Sequence, residues 1–445
     1  MGFRSGAIAY ARFLVHGGPD DADAGLVERL AGARLGPLPP GDPPEVRAGF
    51  TAGGHVLDED FDAGRLLHDG ELLFGLRIDR HRVPAEVRRA YRARAEQARA
   101  EELAGGDPSL LGRGARREAR EEADEQCRRE LREGRHRSSK HLEVLWRVRE
   151  RELLCPAFSD AAVTALRELF REHLDTSLEP LGAGGIARHR LESAGRSRDY
   201  EDLRPSPFTP PPPQAEPEAG RDPAAPLVPW VATATGEPQD FLGNEFLLWL
   251  WWRTATDEGG VDLPGGRLEL SLDRLVEMAC AWDATGTQVL RGHGPHRLPE
   301  AADGLRGGKW PRKLGLLLAT VETGAPLALQ GDRFVVSGLA LPKPEDPPAS
   351  DHELVTLRLA ALRELDRGLV ELFHAFLDVR AGSSWTAIRG RMSAWMRGEA
   401  GGATATAAPA APVTGAVRPS AATNGAAPEI ETRPAAEPAG AGATG

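Results

Sequence analysis

The sequence predicts an α+β protein, because stretches of alternating hydrophobicity are interspersed with stretches of helical periodicity. Of its 445 residues, 41% are hydrophobic and 27% are charged, a composition typical of globular proteins. Ten prolines within residues 204–229 interrupt these patterns. Since proline fixes φ and lacks an N–H donor, this stretch predicts an extended linker. We therefore expect two units of mixed antiparallel sheet and helix, 1–203 and 230–398, on either side of the linker.

The first unit contains the predicted strands and helices in mixed order. Apolar residues at helical spacing predict a helix over 26–31, a second that begins at Pro84, and a third that Ser159 caps. Alternating apolar residues predict four strands, at residues 7–14, 71–79, 142–148 and 153–158. The last two of these strands are expected to form a hairpin.

The second unit is expected to begin and end with helices. Residues 240–254 are apolar nearly all round, which predicts a buried helix. Its apolar run, Phe241 to Trp252, is shorter than the roughly 20 residues of a membrane span. A long amphipathic helix is predicted over 350–379, and a short last helix around Trp385 and Trp395. Five strands are predicted in between, at residues 267–272, 287–290, 314–321, 326–330 and 334–341.

The composition of the chain end predicts disorder, and the cysteines of the chain indicate its cellular compartment. Residues 399–445 contain no aromatic residue and are rich in Ala, Gly, Pro and Thr, so this tail is expected to be disordered. Cys127, Cys155 and Cys280 are odd in number and far apart, which indicates a reducing compartment rather than a disulfide framework. The N-terminus shows no apolar signal sequence. We therefore expect a cytoplasmic protein.

Three short motifs lack parts that an active site would need. Gly304 to Trp310 is similar to a phosphate-binding loop, but the spacing is one residue short and Trp310 replaces the Ser or Thr that would hold magnesium. Gly182 to Gly185 matches a fragment of a dinucleotide loop without its βαβ context, so a turn is expected. His293 and His296 have no nearby cysteine or acidic partner, which favours a solvated loop. We expect no cofactor and no bound metal.

The densest group of carboxylates is Asp58, Glu59, Asp60 and Asp62. A two-metal nuclease needs such acids together with partners from other strands. An acidic run in a loop is more often a solvated surface, and no Lys or His partner is evident for this one. We therefore expect no enzymatic activity, with a role as a metal-dependent nuclease accessory kept as an alternative.

Basic residues concentrate in the middle of the first unit. Residues 77–151 contain 21 Lys or Arg against 15 Asp or Glu, a net charge of +6, whereas the whole chain carries −11. In a first interpretation, such charges lie on solvated helix faces and form i,i+4 ion pairs. In a second, they form a phosphate-binding surface that does not read bases. The second interpretation assigns ten DNA-binding residues in three clusters: Arg88, Arg92 and Arg99; Arg128, Arg132, Arg135 and Lys140; and Lys309, Arg312 and Lys313.

Several motifs follow one another in a characteristic order. The chain opens with Met-x-Phe-Arg, and it continues with Leu67–Arg77, Val83-Pro84, Lys140–Leu154, Leu178–Leu181, Leu305–Lys309, Lys313-Leu314 and Leu365–Leu377. In this order and spacing the sequence resembles the recombination-associated protein RdgC family of bacteria. The resemblance covers most of residues 1–380, and no single motif in it is catalytic.

The resemblance implies a non-enzymatic, ring-shaped homodimer that encircles duplex DNA without sequence preference and restrains the RecA recombinase. Basic residues would line the inside of such a ring and acidic residues its outside, which is compatible with a negative net charge. Membership would also imply a nucleoid-associated protein. A divergent member that serves as a protein-interaction scaffold stays open as an alternative.

Overall fold

The structure, a computed structural model, describes residues 2–38, 41–103, 105–213, 237–256, 260–264, 266–282, 284–320, 323–344 and 346–399. These residues form one antiparallel sheet of 13 strands with helices packed against it, so the predicted α+β class is confirmed. Residues 204–213 of the predicted linker are described, and Phe208 among them is buried against Trp310. The rest of the predicted linker and the predicted disordered tail after Glu399 lie outside the described residues.

The N-terminal part of the chain contains the helices and strands that its periodicity predicts, together with others. The strands are β1 (Ile8–Gly17), β2 (Val46–Thr51), β3 (Leu67–His68), β4 (Glu71–His81), β5 (Arg137–Arg147), β6 (Glu152–Cys155) and β7 (Thr176–Leu181). The helices are α1 (Ala24–Gly32), α2 (Ala63–Leu66), α3 (Ala85–Leu103), α4 (Arg113–Arg132), α5 (Asp160–Leu174), α6 (Ala183–Ser193) and α7 (Ser197–Asp202). As predicted, Ser159 caps α5, and its side chain accepts a hydrogen bond from the Ala162 N–H.

The C-terminal part begins with the predicted buried helix and ends with the predicted long one. Its strands are β8 (Gly260–Leu263), β9 (Gly266–Cys280), β10 (Gln288–Gly292), β11 (Lys309–Ala319), β12 (Gly324–Gln330) and β13 (Val335–Leu339). Its helices are α8 (Phe241–Thr256), α9 (Pro299–Arg306), α10 (Asp351–Arg380) and α11 (Trp385–Arg397). Ser350 caps α10 by accepting a hydrogen bond from the Glu353 N–H.

Strand β1 joins the two halves of the sheet. The main path runs β10-β9-β11-β12-β13-β1-β6-β5-β4-β2, and β3, β7 and β8 pair with β4, β1 and β9. Tyr10 faces Val336 of β13, whereas Phe13 faces Leu153 of β6. The division into units 1–203 and 230–398 stays a prediction, and the structure adds that the two segments share one sheet.

The helix α8 lies in the largest core cluster, as its all-round apolar pattern predicts. Trp249 and Trp251 are buried, and the ring of Phe246 lies 5.1 Å from that of Phe373 on α10. A Cβ atom on Gly243 would stand 2.0 Å from the Gly331 carbonyl oxygen. The helix can therefore approach the β12–β13 turn this closely only with glycine at position 243.

A buried ionic network fastens α10 to the N-terminal strands. The Asp366 carboxylate accepts hydrogen bonds from the Tyr10 hydroxyl at 2.6 Å, from Arg147 at 2.6 Å and from Arg12. Arg147 also donates to Glu71 at 2.9 Å. Burial alone would raise the pKa of Asp366, but the two guanidinium groups outweigh it and hold this pKa below its usual range.

Some elements differ from the sequence-based expectation. Strand β9 continues to Cys280, well beyond the predicted end at residue 272. Its pairing with β11 shifts near Arg274, which has a φ of +66°. A bulge of this kind adds residues to one strand and obscures a simple alternation. The strand β2 and the short helix α6 also lack a pronounced periodicity of their own.

Candidate nucleic-acid interface

The ends of β4 and β5 and the start of α5 enclose a small basic cleft of about 370 Å³, called here the strand-end cleft. Arg80 of β4 faces Ser138 of β5, and Lys140 faces Ile78 two residues earlier. The first turn of α5 closes the cleft, so the positive end of that helix dipole lies beside two cations. The lining residues are Ile78, Arg80, Ser138, Ser139, Lys140, Ser159 and Ala162.

A second basic cleft of about 260 Å³, called here the helix-start cleft, follows directly along the chain. It is lined by Arg82, Val83, Ala85, Arg88, Arg89 and Arg92. Because Arg80 and Arg82 are two residues apart, the two clefts belong to one continuous stretch of the chain. Neither lining contains an Asp or a Glu among the described residues. Together the clefts form a basic surface, defined here by residues 80–92 and Lys140.

The cations of this surface differ in how they are paired. Within the described part of the chain, no carboxylate oxygen lies within 4 Å of the charged nitrogens of Arg80, Arg82, Arg88 or Lys140. Arg92, in contrast, donates to Glu96 at 2.8 Å, and Arg89 pairs with Glu86. The cations without a carboxylate partner are exposed, so they are free to contact phosphates.

The other arginines predicted on α3 and α4 are held in ion pairs between or along the helices. Arg99 lies 3.5 Å from Glu118 and thereby joins α3 to α4. Arg128 donates to Glu125 at 3.0 Å, and Arg132 donates to Asp42 at 2.5 Å. Arg135 lies 3.3 Å from Glu130. Much of this helix pair is therefore the solvated, salt-bridged surface that was the first interpretation of its charges.

Glu130 is the centre of these contacts on α4. Its carboxylate accepts hydrogen bonds from the Tyr91 hydroxyl and from His136 at 2.7 Å. These hydrogen bonds lower the pKa of Glu130, because they favour its charged form. Where the start of α3 meets the last turns of α4, burial raises the pKa of the Cys127 thiol, and the adjacent Arg88 opposes this shift. Arg88 therefore lies beside the Cys127 thiol while its side chain stays exposed.

The third predicted cluster lies in the other half of the sheet. Lys309 donates to the Gln288 side chain at 3.4 Å, and Arg312 lies 3.3 Å from the buried Asp332. Lys313, also on β11, faces Glu277 of β9 and Gln330 of β12. Strand β11 is five strands away from β5, or about 24 Å along the sheet. The structure therefore does not bring Lys309, Arg312 and Lys313 together with the basic surface.

Sequence reasoning missed several residues of the basic surface. Arg80 and Arg82 stand at a strand end, where they belong to no helical stripe. Ser138 and Ser139 carry no charge signal at all. Their proximity to Lys140 depends on the register of β4 with β5 across the long α3–α4 insertion. The one available signal was the absence of acidic residues from the segment 80–85.

The candidate catalytic motifs have structural roles in this fold. Residues 304–310 run from α9 into β11, whereas a phosphate-binding loop runs from a strand into a helix. The segment Gly182–Gly185 begins α6 instead of forming an isolated turn. Asp58 accepts the Gly54 N–H at 2.8 Å and so closes its own loop, and Asp60 pairs with Arg65. No group of three or more potential metal ligands occurs among the described residues.

No protein-family model matches the chain, and no curated protein matches it significantly. In the parts of the chain that the structure describes, no helix is long and apolar enough to cross a membrane.

Proposed function

We propose that this protein binds duplex DNA without sequence preference, and that it does so through the basic surface of residues 80–92 and Lys140. The observation that carries the proposal is the pair of adjoining clefts whose linings contain five arginines and a lysine and no acidic residue. Phosphate groups are the ligands that such a surface attracts, and neutralising them releases counterions. Arginine suits this role because its planar guanidinium can grip a phosphate through two donors.

The resemblance to the RdgC family supports this proposal and extends it. By that analogy the protein acts without catalysis in the nucleoid, as a ring-shaped homodimer around DNA that restrains a RecA-type recombinase. Sedimentation at micromolar concentration tests the dimer, and a monomer under these conditions contradicts the ring. Strand exchange by a RecA-type recombinase, measured with and without the protein, tests the second part.

The binding site itself is tested by fluorescence anisotropy with two duplexes of unrelated sequence. The variant Arg80→Ala/Arg82→Ala/Lys140→Ala should bind both duplexes more weakly than the wild type, and by the same factor. These three side chains are exposed, so the variant should melt near the wild-type temperature. Affinity that differs strongly between the two duplexes contradicts sequence-independent binding.

The matched control removes three cations that already have carboxylate partners. Arg128→Ala/Arg132→Ala/Arg135→Ala changes the net charge by the same amount, but these residues are salt-bridged and lie at the end of α4 or just after it. We expect a smaller loss of affinity for this variant. An equal loss in both variants would indicate a general effect of net charge and contradict the assigned surface.

A second candidate function, as a protein-interaction scaffold, is favoured by the far end of the α3–α4 pair. Leu103 and Leu110 are 66% and 70% exposed there, although leucine is ordinarily buried. A contiguous patch of exposed apolar side chains typically marks a protein contact. Wild-type protein that shows no salt-dependent DNA binding would favour this function instead.

A further inference from the structure

A larger cleft of about 770 Å³, called here the central cleft, opens between α5, α6, β7 and the turn before β13. The strands β13 and β7 follow one another along the same side of β1. The cleft lies where these two strands separate. Its volume falls in the range of small-molecule sites, roughly 300–1,000 Å³. The first turns of α5 separate it from the strand-end cleft: Ser159 and Ala162 line one, and Asp160 and Val163 line the other.

Two arginines of the central cleft are available to an anionic ligand. Arg167 of α5 and Arg333 before β13 are exposed, and no carboxylate oxygen in the described residues lies within 4 Å of their guanidinium nitrogens. Arg188, in contrast, is engaged by Glu179 and by Glu237 at 3.4 Å. A phosphate group matches the fork of donors that each available arginine presents.

The wall of the cleft also offers an aromatic ring. Phe158, in the loop before α5, is 42% exposed although it lines a cavity. Val163 and Leu181 contribute further apolar surface to the same cavity. An exposed aromatic ring beside basic side chains is the arrangement on which nucleic-acid bases stack.

A buried carboxyl group completes the set of polar partners. Asp240 lines the cleft, is only 2% exposed, and accepts the Gly184 N–H at 2.8 Å. Burial raises the pKa of Asp240 to about 7, with Asp332 and Glu237 adding to the shift. Carboxylates in this type of setting accept hydrogen bonds from ligand hydroxyl and N–H groups. The remaining acids of the lining are Asp160, Glu179 and Glu237.

We propose that the central cleft binds a nucleotide, with its phosphate at Arg167 and Arg333, its base against Phe158, and a hydroxyl or N–H group donating to Asp240. This inference goes beyond DNA-backbone binding and uses none of the residues of the basic surface. The nucleotide is either free in solution or the end of a nucleic-acid strand, since both present the same phosphate, sugar and base.

The test is calorimetric titration of the full-length protein with AMP, with ribose 5-phosphate and with a 5′-phosphorylated trinucleotide. We expect Arg167→Ala/Arg333→Ala to weaken binding of all three ligands by about tenfold or more. Phe158→Ala should weaken AMP and the trinucleotide but leave ribose 5-phosphate nearly unchanged, because the sugar phosphate has no base to stack. Tighter binding of the trinucleotide than of AMP would assign the site to strand ends, and the reverse to free nucleotides.

Two controls keep this test separate from the DNA-binding proposal. Arg171→Ala removes an arginine of the same helix that is 72% exposed and lies outside the cleft, and it should leave binding unchanged. Arg80→Ala/Arg82→Ala/Lys140→Ala should also retain nucleotide binding. The proposal is overturned if none of the three ligands binds at millimolar concentration, or if Arg171→Ala weakens binding as much as the double variant does.

Discussion

Replacing Asp366 with alanine should destabilise the protein more than any surface substitution on the same helix. Asp366 of α10 is 3% exposed and accepts hydrogen bonds from Tyr10, Arg12 and Arg147. Its removal breaks the hydrogen bonds that hold α10 to the N-terminal strands. The Tyr10 hydroxyl and both guanidinium groups would stay buried without this acceptor.

The size of the effect follows from the charges that remain. The network holds three carboxylates and three guanidinium groups, contributed by Glu71, Glu152, Asp366, Arg12, Arg147 and Arg363. Without Asp366 one positive charge is uncompensated in a buried position. Breaking a buried ion pair from one side typically costs about 3–5 kcal/mol. That is a large share of the roughly 5–15 kcal/mol by which a folded domain is stable.

Urea unfolding at pH 7, followed by tryptophan fluorescence and circular dichroism, measures this free energy. The control is Asp378→Ala on the same helix, since Asp378 is 55% exposed and lies 3.7 Å from Arg190. A surface pair of this type contributes about 0–1 kcal/mol. If Asp366→Ala loses less than about 1 kcal/mol, or no more than the control, the network does not anchor α10.

The pH dependence of the free energy of unfolding provides a second test of Asp366. Burial opposes ionisation of Asp366, but Arg12 and Arg147 prevail and depress its pKa in the folded protein. The carboxyl therefore stabilises the fold above the unfolded-state pKa of about 4, and this contribution is lost as the pH falls towards the folded-state pKa. The difference in stability between the wild type and Asp366→Ala should shrink below about pH 4. A difference that is constant from pH 7 to pH 3 contradicts the assignment.

Two further substitutions test groups of opposite character. Burial raises the pKa of Asp240 to about 7, so the folded protein holds a proton that the unfolded chain releases near pH 4, and stability is lost as the pH rises between these values. Asp240→Asn retains an acceptor for the Gly184 N–H. Its free energy of unfolding in urea, relative to that of the wild type, should therefore rise from pH 4 to pH 8. A difference that is independent of pH contradicts this prediction. The variant Arg88→Ala/Arg92→Ala/Arg99→Ala should melt near the wild-type temperature and bind DNA with a log-log salt slope reduced by up to about two, because Arg88 and Arg92 line the helix-start cleft whereas Arg99 is paired with Glu118 outside it. An unchanged slope would make that helix face a purely solvated one.

The local elements of the fold were largely predictable, but their long-range pairing was not. Alternation at residues 7–14 is enough to predict the strand β1. Nothing near Tyr10 indicates that it faces Val336, more than 300 residues away in sequence. Pairing partners are selected by complementary faces across the whole sheet, and a single sequence does not display this.

The buried helix α8 shows why composition succeeds where periodicity fails. A helix that is apolar nearly all round must be surrounded by other elements, so burial of Trp249 and Trp251 follows directly. The bulge at Arg274 has the opposite character. The positive φ of Arg274 accompanies the shift in the pairing of β9 with β11. Arginine has no preference for positive φ, so the sequence does not predict this bulge.

The candidate interface was only partly predictable for the same reason. The sequence groups Arg88 and Arg92 in one basic cluster, and both line the helix-start cleft. The pairing of Arg132 with Asp42 joins residues 90 apart in sequence, so it could not be anticipated from i,i+4 spacing. Arg80 could not be assigned to the site from sequence, because only the register of β4 with β5 brings it to the same cleft as Lys140.

The salt dependence of DNA affinity shows whether the basic surface binds phosphates. The measurement compares the log-log slope of the association constant against salt for the wild type and for Arg80→Ala/Arg82→Ala/Lys140→Ala on one duplex. Each phosphate contact contributes about 0.9 to this slope, so loss of three contacts should reduce it by about two to three. A triple variant that folds and shows the wild-type slope would contradict the account.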